Sequence, residues 1–370
     1  MYKLELRDFI LSHDNWEELL TADPYNLKIS RDDGYIMFKY DQIASDFNIP
    51  LVREARGIIL DEKNWDCACH PFNKFGNYGE SYCPNIDWNT ASVQEKIDGS
   101  LIKFWYYYGW HISTNGTIDA FKAELNNVKY QNFGQLVIDA IHKIFPDEHQ
   151  FFKLLDPNCT YMFELVSPYN RVVIPYEETK LYFLGMRDME DGEEWNPEDS
   201  DVSYFFQVPK HYNLYSLEDV QKAASKLPWD EEGYVVCDGN FNRVKIKSPA
   251  YVAAHYTVAN GIITKKKLLK VILAHEEEEF LTYCPEYKEA IDEVKEDMRE
   301  LQRWCEEALC KISELPGYWR NYPRKEIFER VQDWPYIEFK YIMDNYNGYV
   351  SWKDFTKNWS ENKWIEILGY

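Results

Sequence analysis

A short polar stretch, Glu95 to Ser100, lies between two apolar runs and contains Lys96, Asp98 and Gly99. An amine becomes a nucleophile only after it loses its proton, which nearby cations or desolvation favour. A glycine lets the backbone pass close to a ligand. The stretch is therefore a candidate for covalent catalysis by Lys96, although a solvated turn between two strands fits the same residues.

Four further charged residues stand where a binding site is expected. Glu164 lies inside the apolar run 160–166, where a carboxylate is costly to bury unless something binds it. Glu232 opens a strand-like run, and Lys245 and Lys247 share one face of the next run because side chains alternate along a strand. The two lysines fit a phosphate site, and they fit a solvated hairpin with cross-strand ion pairs equally well.

Two more cations lie earlier in the chain. Arg56 stands where a buried strand begins, and Lys74 lies among aromatic residues in the Gly- and Asn-rich loop 71–80. An arginine at such a position is usually a surface ion-pair partner, but its guanidinium can also hold a polyphosphate through paired hydrogen bonds. Loops of this composition either line a ligand pocket or merely turn the chain.

The elements that must position these residues differ along the chain. Apolar runs predict buried strands at 101–108, 160–166 and 181–188. Residues 121–152 have helical spacing, and residues 190–201 predict an acidic surface loop. Asn115-Gly116 is a strong turn signal after a strand.

After about residue 255 the strand-like runs stop. An apolar stripe from Tyr287 to Leu309 keeps the spacing of one face of a long helix. We therefore expect two domains, 1–255 with the candidate site and 256–370 mainly helical. Interleaved Trp, Tyr and Lys residues in the second domain are suited to stacking on unpaired bases, and equally to an aromatic core.

Composition limits the class of protein. The chain has 370 residues, 45% of them hydrophobic and 17% aromatic, which is ample for a core. Charged residues interrupt every apolar run before it reaches bilayer length, and the N-terminus lacks the apolar core of a signal peptide, so we expect a soluble, intracellular protein. A net charge of −22 argues against nucleic-acid binding by the whole surface but not against a local basic groove.

The eight cysteines do not point to a metal cluster. Cys67, Cys69 and Cys83 lie near His70, but no second Cys-x-x-Cys pair completes a zinc site. Disulfides are not expected in a reducing cytosol.

Taken in order, these motifs resemble those of the covalent nucleotidyltransferases, the superfamily of ATP-dependent ligases and mRNA capping enzymes. Within it the chain most resembles the bacteriophage T4-type RNA ligase 1 family, over roughly residues 50–255. The supporting stretches are Arg56-Gly57-Ile58, Lys74-Phe75-Gly76-Asn77, Lys96 to Leu101, Glu164 to Arg171, Leu184 to Arg187, and Lys245 to Ser248 with Tyr251.

The resemblance implies an α+β fold, with an ATP-grasp-like nucleotidyltransferase domain of antiparallel sheets at 1–255 and a mainly helical domain at 256–370. It also implies an ATP-dependent RNA ligase that joins RNA 5′-phosphate and 3′-hydroxyl ends through a lysyl-AMP and an RNA-adenylate. The family is associated with tRNA repair, so the implied partners are single-stranded or anticodon-loop-like RNA ends, and the helical domain is the implied specificity module. The expected oligomeric state is a monomer. The implied location is the cytoplasm, that of the host cell if the protein is phage-encoded.

Roles at the site follow from the resemblance. Lys96 would carry the AMP, and Lys245 and Lys247 would neutralise the α-phosphate. Glu232 is the implied ligand of Mg²⁺, or of Mn²⁺, and Glu164 would contact the ribose or share the metal.

The remaining implied contacts are to the nucleotide. Arg56 and Lys74 would hold the β- and γ-phosphates. Glu95 is an additional nucleotide-binding candidate, and Gly99 would permit close approach of the nucleotide.

Two departures from the family lie near the expected nucleotide site. Gly76 stands where relatives have a second aromatic residue, and Asn115 where they commonly have a lysine before the hairpin glycine. Two rival functions remain. One is a DNA ligase or a GTP-specific capping enzyme, which would place a small β-barrel after the last lysine motif, and the other is a non-catalytic RNA-binding protein on the same scaffold.

Overall fold

The computed structural model describes residues 2–42, 44–125, 127, 129–256, 264–315 and 317–370. The chain divides into two compact units, one up to His255 and one from Tyr256 onward. All strands of the described residues lie in the first unit, and the described part of the second contains only helices. The combination is the α+β class, which confirms the predicted fold class.

The first unit is built on three antiparallel sheets. Their strands are β1 (Leu27–Asp32), β2 (Tyr35–Tyr40), β3 (Arg56–Asp61), β4 (Cys67–Cys69), β5 (Ser92–Glu95), β6 (Ser100–Tyr106), β7 (Trp110–Thr114), β8 (Cys159–Val166), β9 (Lys180–Asp188), β10 (Glu194–Trp195), β11 (His211–Tyr212), β12 (Gly233–Cys237) and β13 (Arg243–Lys247). The sheet orders are β1-β2-β3-β4, β10-β9-β8-β6-β7 and β11-β5-β12-β13.

The sheet orders place the polar stretch at a crossing point. β5 belongs to the third sheet and β6 to the second, so the four residues 96–99 carry the chain from one sheet to the other. β8 lies beside β6, and β12 lies beside β5. Residues at the ends of β8 and β12 are therefore brought next to the crossing.

Helices of the first unit cover the sheets. They are α1 (Glu5–Ser12), α2 (Trp16–Thr21), α3 (Pro50–Glu54), α4 (Phe133–His142), α5 (Glu148–Phe152), α6 (Leu217–Ala224) and α7 (Pro249–Tyr256). α4 packs Leu136, Val137 and Ile141 into a cluster with Phe163 and Phe183 of the five-stranded sheet. Burial of each such side chain stabilises the fold by about 1.5–3 kcal/mol.

The prediction of one helix over 121–152 is wrong. α4 begins only at Phe133, because the side chain of Asn132 accepts a hydrogen bond from the Gln135 N–H and caps the helix there. Asp147 caps α5 in the same way, by accepting from the Gln150 N–H. The periodicity of the apolar residues was correct for α4, but it did not show where these polar caps divide the segment.

The second unit consists of helices where the structure describes it. They are α8 (Lys265–Leu273), α9 (Glu277–Tyr283), α10 (Lys288–Ser313), α11 (Arg324–Val331), α12 (Tyr336–Asp344), α13 (Trp352–Thr356) and α14 (Glu361–Leu368). The predicted long helix is confirmed as α10, which buries Ile291, Val294, Leu301 and Cys305 along one face. No helix of the described residues is both long and apolar enough to cross a membrane.

Candidate active site

Lys96 is held at the crossing between the two sheets. Its N–H donates a 2.9 Å hydrogen bond to the Gly233 carbonyl, which fixes the crossing against the start of β12. The side chain enters a cleft of about 620 Å³. The lysine therefore lies in a cavity rather than on a solvated turn.

The cleft collects all the residues that the sequence proposed for catalysis, nucleotide contact or metal binding. They are Arg56, Lys74, Glu95, Lys96, Gly99, Glu164, Glu232, Lys245 and Lys247. These residues are spread over about 190 positions of the chain, so the three sheets together build the site.

Lys96 forms an ion pair inside this cleft. Its Nζ lies 2.6 Å from Glu232 Oε1, and the two side chains are 20% and 6% exposed. Glu232 precedes β12, and its own carbonyl accepts a hydrogen bond from the Ser248 N–H. The carboxylate is thus fixed by the β12–β13 hairpin, and it neutralises the lysine in the structure as it stands.

Glu164 lies close to this pair on β8, opposite Leu101 of β6. Burial raises the pKa of Glu164 to about 7, the positive charge of Lys96 opposes the rise, and the negative charge of Glu232 adds to it. The carboxyl group is therefore partly protonated near neutral pH, and a further cation in the cleft would favour its ionised form.

Lys245 and Lys247 face the cleft from β13. They pair with Val235 and Gly233 of β12, and alternation along the strand gives them the same face. The backbone of Lys245 also binds the loop that follows Lys74. The Lys245 N–H donates a hydrogen bond to the Gly76 carbonyl at 2.9 Å, and the Lys245 carbonyl accepts one from the Tyr78 N–H at 2.8 Å.

Arg56 and Lys74 bring positive charge without a matching carboxylate. Neither forms an ion pair within the described part of the chain, and Arg56 Nη1 is buried without a hydrogen-bond partner. The Arg56 guanidinium lies 5.1 Å from the Phe75 ring centroid, and the Lys74 ammonium lies 4.9 Å from that of Phe47. Aromatic faces thus orient both cations while leaving their charge available to an anion.

Glu95 and Gly99 flank the lysine. Glu95 ends β5 opposite Tyr234, and its N–H donates to the Lys210 carbonyl at 2.8 Å. A Cβ on Gly99 would lie 2.4 Å from the Leu165 carbonyl oxygen. Position 99 therefore requires glycine because the chain passes close to β8. This contact was not predicted from the sequence.

Asp98 has a positioning role that sequence reasoning missed. It is buried, and its Oδ2 accepts hydrogen bonds from the N–H groups of Val173 and Ile174, at 2.9 and 2.7 Å. Its Oδ1 accepts from the Tyr251 hydroxyl at 2.8 Å. These contacts tie the lysine crossing to α7 and to residues 173–174, and the only sequence signal was the position of Asp98 two residues after Lys96.

The prediction of an acidic surface loop at 190–201 is wrong for Glu194. This side chain is 10% exposed and bridges two arginines, with Oε1 lying 2.6 Å from Arg187 and Oε2 lying 2.5 Å from Arg243. Arg243 lines the cleft and stacks 4.3 Å from the Phe72 ring centroid. The bridge joins the second and third sheets beside the site, and nothing in the loop's composition distinguished Glu194 from its exposed neighbours.

The chain matches a known protein family in sequence. A family model described as RNA ligase matches residues 54–251, a span that contains all of the proposed cleft residues. The chain belongs to the T4-type RNA ligase 1 family.

Relatives of this RNA ligase family member occur in viruses and phages. A protein of Autographa californica nuclear polyhedrosis virus, to which polynucleotide kinase and RNA ligase activities are ascribed, is 31% identical over 291 residues. That alignment covers 73% of this chain and 40% of the viral protein. The RNA ligase of Rhodothermus phage RM378 is 26% identical over 344 residues, covering 76% of this chain and 77% of the phage protein. The chain therefore spans less than half of the first relative and about three quarters of the second.

Solved structures give a looser likeness. An archaeal ATP-dependent RNA ligase superposes on this RNA ligase family member with a TM-score of 0.47, at 14% identity, over 77% of this chain and 74% of that chain. The family assignment rests on the sequence match.

The two departures from the family have structural counterparts. A Cβ on Gly76 would lie 2.5 Å from the Glu80 carboxylate and 2.7 Å from the Cys83 sulfur, so the loop leaves no room for an aromatic side chain there. Asn115 lines the cleft, and its Oδ1 is buried without a hydrogen-bond partner.

Proposed function

We propose that this chain is an ATP-dependent RNA ligase that joins a 5′-phosphate to a 3′-hydroxyl through a lysyl-AMP on Lys96. The observation that carries the proposal is the position of Lys96 in a cleft that also holds a paired carboxylate and several cations. Membership of the RNA ligase family supports the same reaction class.

The first step forms a bond between Lys96 Nζ and the α-phosphorus of ATP. The bond from that phosphorus to the bridging oxygen breaks, and pyrophosphate leaves with its electron pair. Lys96 can attack only after its ion pair with Glu232 opens and its proton has left, and its 20% exposure gives the proton a path to solvent. Lys245 and Lys247 would stabilise charge on the α-phosphate, and Arg56 and Lys74 would hold the departing pyrophosphate.

Opening of the Lys96–Glu232 ion pair would also make Glu232 available as an oxygen ligand. Among the described residues no group of three or more His, Cys, Asp or Glu side chains is arranged to hold a metal ion. One or two carboxylates completed by substrate phosphates are, however, the usual protein ligands of Mg²⁺, so Glu232 and Glu164 fit the ion, and Mn²⁺ takes similar oxygen ligands. When bound, the ion would neutralise developing phosphate charge.

Two further steps complete the proposed reaction. AMP passes from Lys96 to the RNA 5′-phosphate, and the 3′-hydroxyl then displaces AMP to seal the strand. Glu164 and Glu95 lie beside Lys96 in the cleft, where they would contact the adenosine ribose. One chain supplies all these residues, so we propose that the enzyme acts as a monomer, in the cytoplasm, that of the host if it is phage-encoded.

The helical unit is proposed to select the RNA, with tRNA anticodon-loop-like ends as the substrate class. α11 and α12 border a groove lined by Arg324, Phe328 and Tyr336, and the two aromatic side chains are 43% and 59% exposed. Exposed aromatic rings next to Arg and Lys are suited to stacking on unpaired bases. Tyr336→Ala should therefore lower sealing of a broken tRNA stem-loop more than adenylylation. Tyr349→Ala, which removes a more exposed tyrosine outside the groove, is the control.

The experiment that tests the function is a sealing assay on single-stranded RNA, nicked duplex and broken tRNA stem-loops, with ATP or GTP. We expect sealing of RNA ends with ATP. Label transferred to the protein from GTP alone would favour a capping-type enzyme. RNA binding without any covalent AMP adduct, unchanged in Lys96→Ala, would favour the non-catalytic alternative.

A further inference from the structure

Lys103 is a buried lysine without a carboxylate partner. It lies in the middle of β6 with no exposed surface, and its Nζ donates a 2.6 Å hydrogen bond to the Gly57 carbonyl. It forms no ion pair within the part of the chain that the structure describes. Burial lowers the pKa of Lys103 to about 8, with the nearby charges of Arg56 and Lys39 acting in the same direction. Because an unpaired buried ammonium is unfavourable, packing alone does not explain it.

The Lys103 ammonium lies directly behind one wall of the cleft. Arg56 and Asn115 line this wall. A Cβ built on Gly57 would lie 3.0 Å from Lys103 Nζ and 2.8 Å from the Asn115 carbonyl oxygen. The Lys103 ammonium and the Asn115 carbonyl therefore both lie against Gly57. Lys103 also pairs across the sheet with Ser113, two residues before Asn115.

A second lysine approaches the same turn. Lys39 Nζ lies 3.3 Å from the position of a Cβ on Gly116, which also lines the cleft. Lys39 forms no ion pair among the described residues either. The other titratable group facing Lys103 is the thiol of Cys69 on β4, and burial raises its pKa to about 11, so it is neutral near pH 8. The carboxylates that line the same cleft are Glu95, Glu124, Glu164 and Glu232, and Glu164 interacts electrostatically with Arg56.

We propose that Lys103, assisted by Lys39, is a positioning residue that attracts a nucleotide polyphosphate to the Asn115–Gly116 end of the cleft, an inference that rests on the proposed function. The ammonium acts through the low-dielectric wall without touching the ligand, and its hydrogen bond to Gly57 fixes the peptide next to Arg56. Phosphate oxygens on the other side of the wall favour the charged form of Lys103. Binding therefore takes up a proton wherever the free protein holds Lys103 partly neutral.

The test is calorimetric titration of the full chain with α,β-methylene-ATP, whose α–β link cannot be cleaved, in two buffers of different ionisation enthalpy. We expect proton uptake near pH 8 and an affinity that falls about tenfold between pH 7 and 9.5, the effect of one charge acting at this range. Lys103→Met should bind several-fold more weakly at pH 8 and lose the proton uptake and the pH dependence between pH 8 and 9.5, a range above the pKa of about 7 of Glu164 in the same cleft. Asn115→Lys in the Lys103→Met background should recover affinity, and Lys63→Met, an exposed lysine outside the cleft, is the control.

A merely structural Lys103 would give different results. Wild-type binding that takes up no proton and does not vary from pH 7 to 9.5 would overturn the inference, and this measurement needs no variant. If Lys103→Met binds the analogue with unchanged affinity and unchanged proton uptake, the inference is overturned as well. The proposed function would still stand in that case, provided that the protein forms lysyl-AMP. Failure of the wild type to bind the analogue at any pH would count against the proposed function itself.

Discussion

Lys96 Nζ and Glu232 Oε1 lie 2.6 Å apart in the cleft, so the proposed nucleophile is held as half of an ion pair. A protonated amine cannot attack phosphorus. In the proposed reaction the pair would keep Lys96 from reacting until it opens. Opening would couple two events, because one carboxylate both holds the amine and is the proposed oxygen ligand. We expect the first step to begin only after Lys96 is released from Glu232.

Glu232→Gln should slow adenylylation by about 100-fold or more, the usual effect of removing one preorganised charge-stabilising group. The amide keeps the shape of the side chain but loses both the ion pair and the anionic ligand. The measurement is single-turnover formation of protein-bound AMP over a range of Mg²⁺ concentrations. Glu231→Gln, an exposed neighbour, is the control. An unchanged rate and magnesium requirement in Glu232→Gln would contradict its role.

Arg56→Gln and Lys74→Met should impair the first step more than the last. Neither side chain forms an ion pair among the described residues, and the proposed anion is pyrophosphate, which leaves before sealing. We expect ATP-dependent adenylylation to fall by about tenfold or more, with little change in sealing of RNA that already carries a 5′-adenylate. Lys63→Met is the matched control. Equal losses in both assays would show that the two cations do not act on pyrophosphate.

Glu164 should give the free protein a measurable pH dependence of stability. Its pKa is raised from an ordinary 4.5 to about 7, mainly by burial. Between these values the folded state keeps a proton that the unfolded state has lost, so this contribution to stability falls as pH rises from 4.5 through 7.

Glu164→Gln removes the ionisation and should be at least as stable as wild type at pH 8, with its relative advantage shrinking toward pH 5. The measurement is the thermal unfolding midpoint of both proteins across that range, where we expect a difference of a few degrees at most. Glu124→Gln, on the exposed edge of the same cleft, is the control. A midpoint difference that is the same at pH 5 and pH 8 would show that Glu164 does not titrate in this range.

Much of the site could be predicted because its motifs coincide with strand ends. Lys245 and Lys247 follow from alternation along one strand, and Glu164 stood out as a carboxylate in an apolar run. The paired nature of Lys96 and Glu232 could not be predicted, because they lie 136 positions apart and meet only through the pairing of β5 with β12.

The polar residues whose burial was not predicted share one physical explanation. In the sequence, a polar residue that tertiary contacts bury looks the same as an exposed one. Glu194 looked like its acidic neighbours but bridges two arginines. Asp98 looked like part of a turn but accepts three hydrogen bonds. Lys103 is the one charged residue in the apolar run 101–108, and it is fully buried behind the cleft. Local patterns predict the elements, and only packing shows which polar side chains the elements enclose.

Whether Lys96 carries AMP can be measured by incubating the protein with Mg²⁺ and ATP labelled at the α-phosphate and mapping the modified peptide. We expect one acid-labile, base-stable AMP adduct on Lys96, absent in Lys96→Ala even though that variant unfolds at a similar temperature. Label on another residue, or normal sealing of 5′-phosphate RNA by Lys96→Ala, would contradict it.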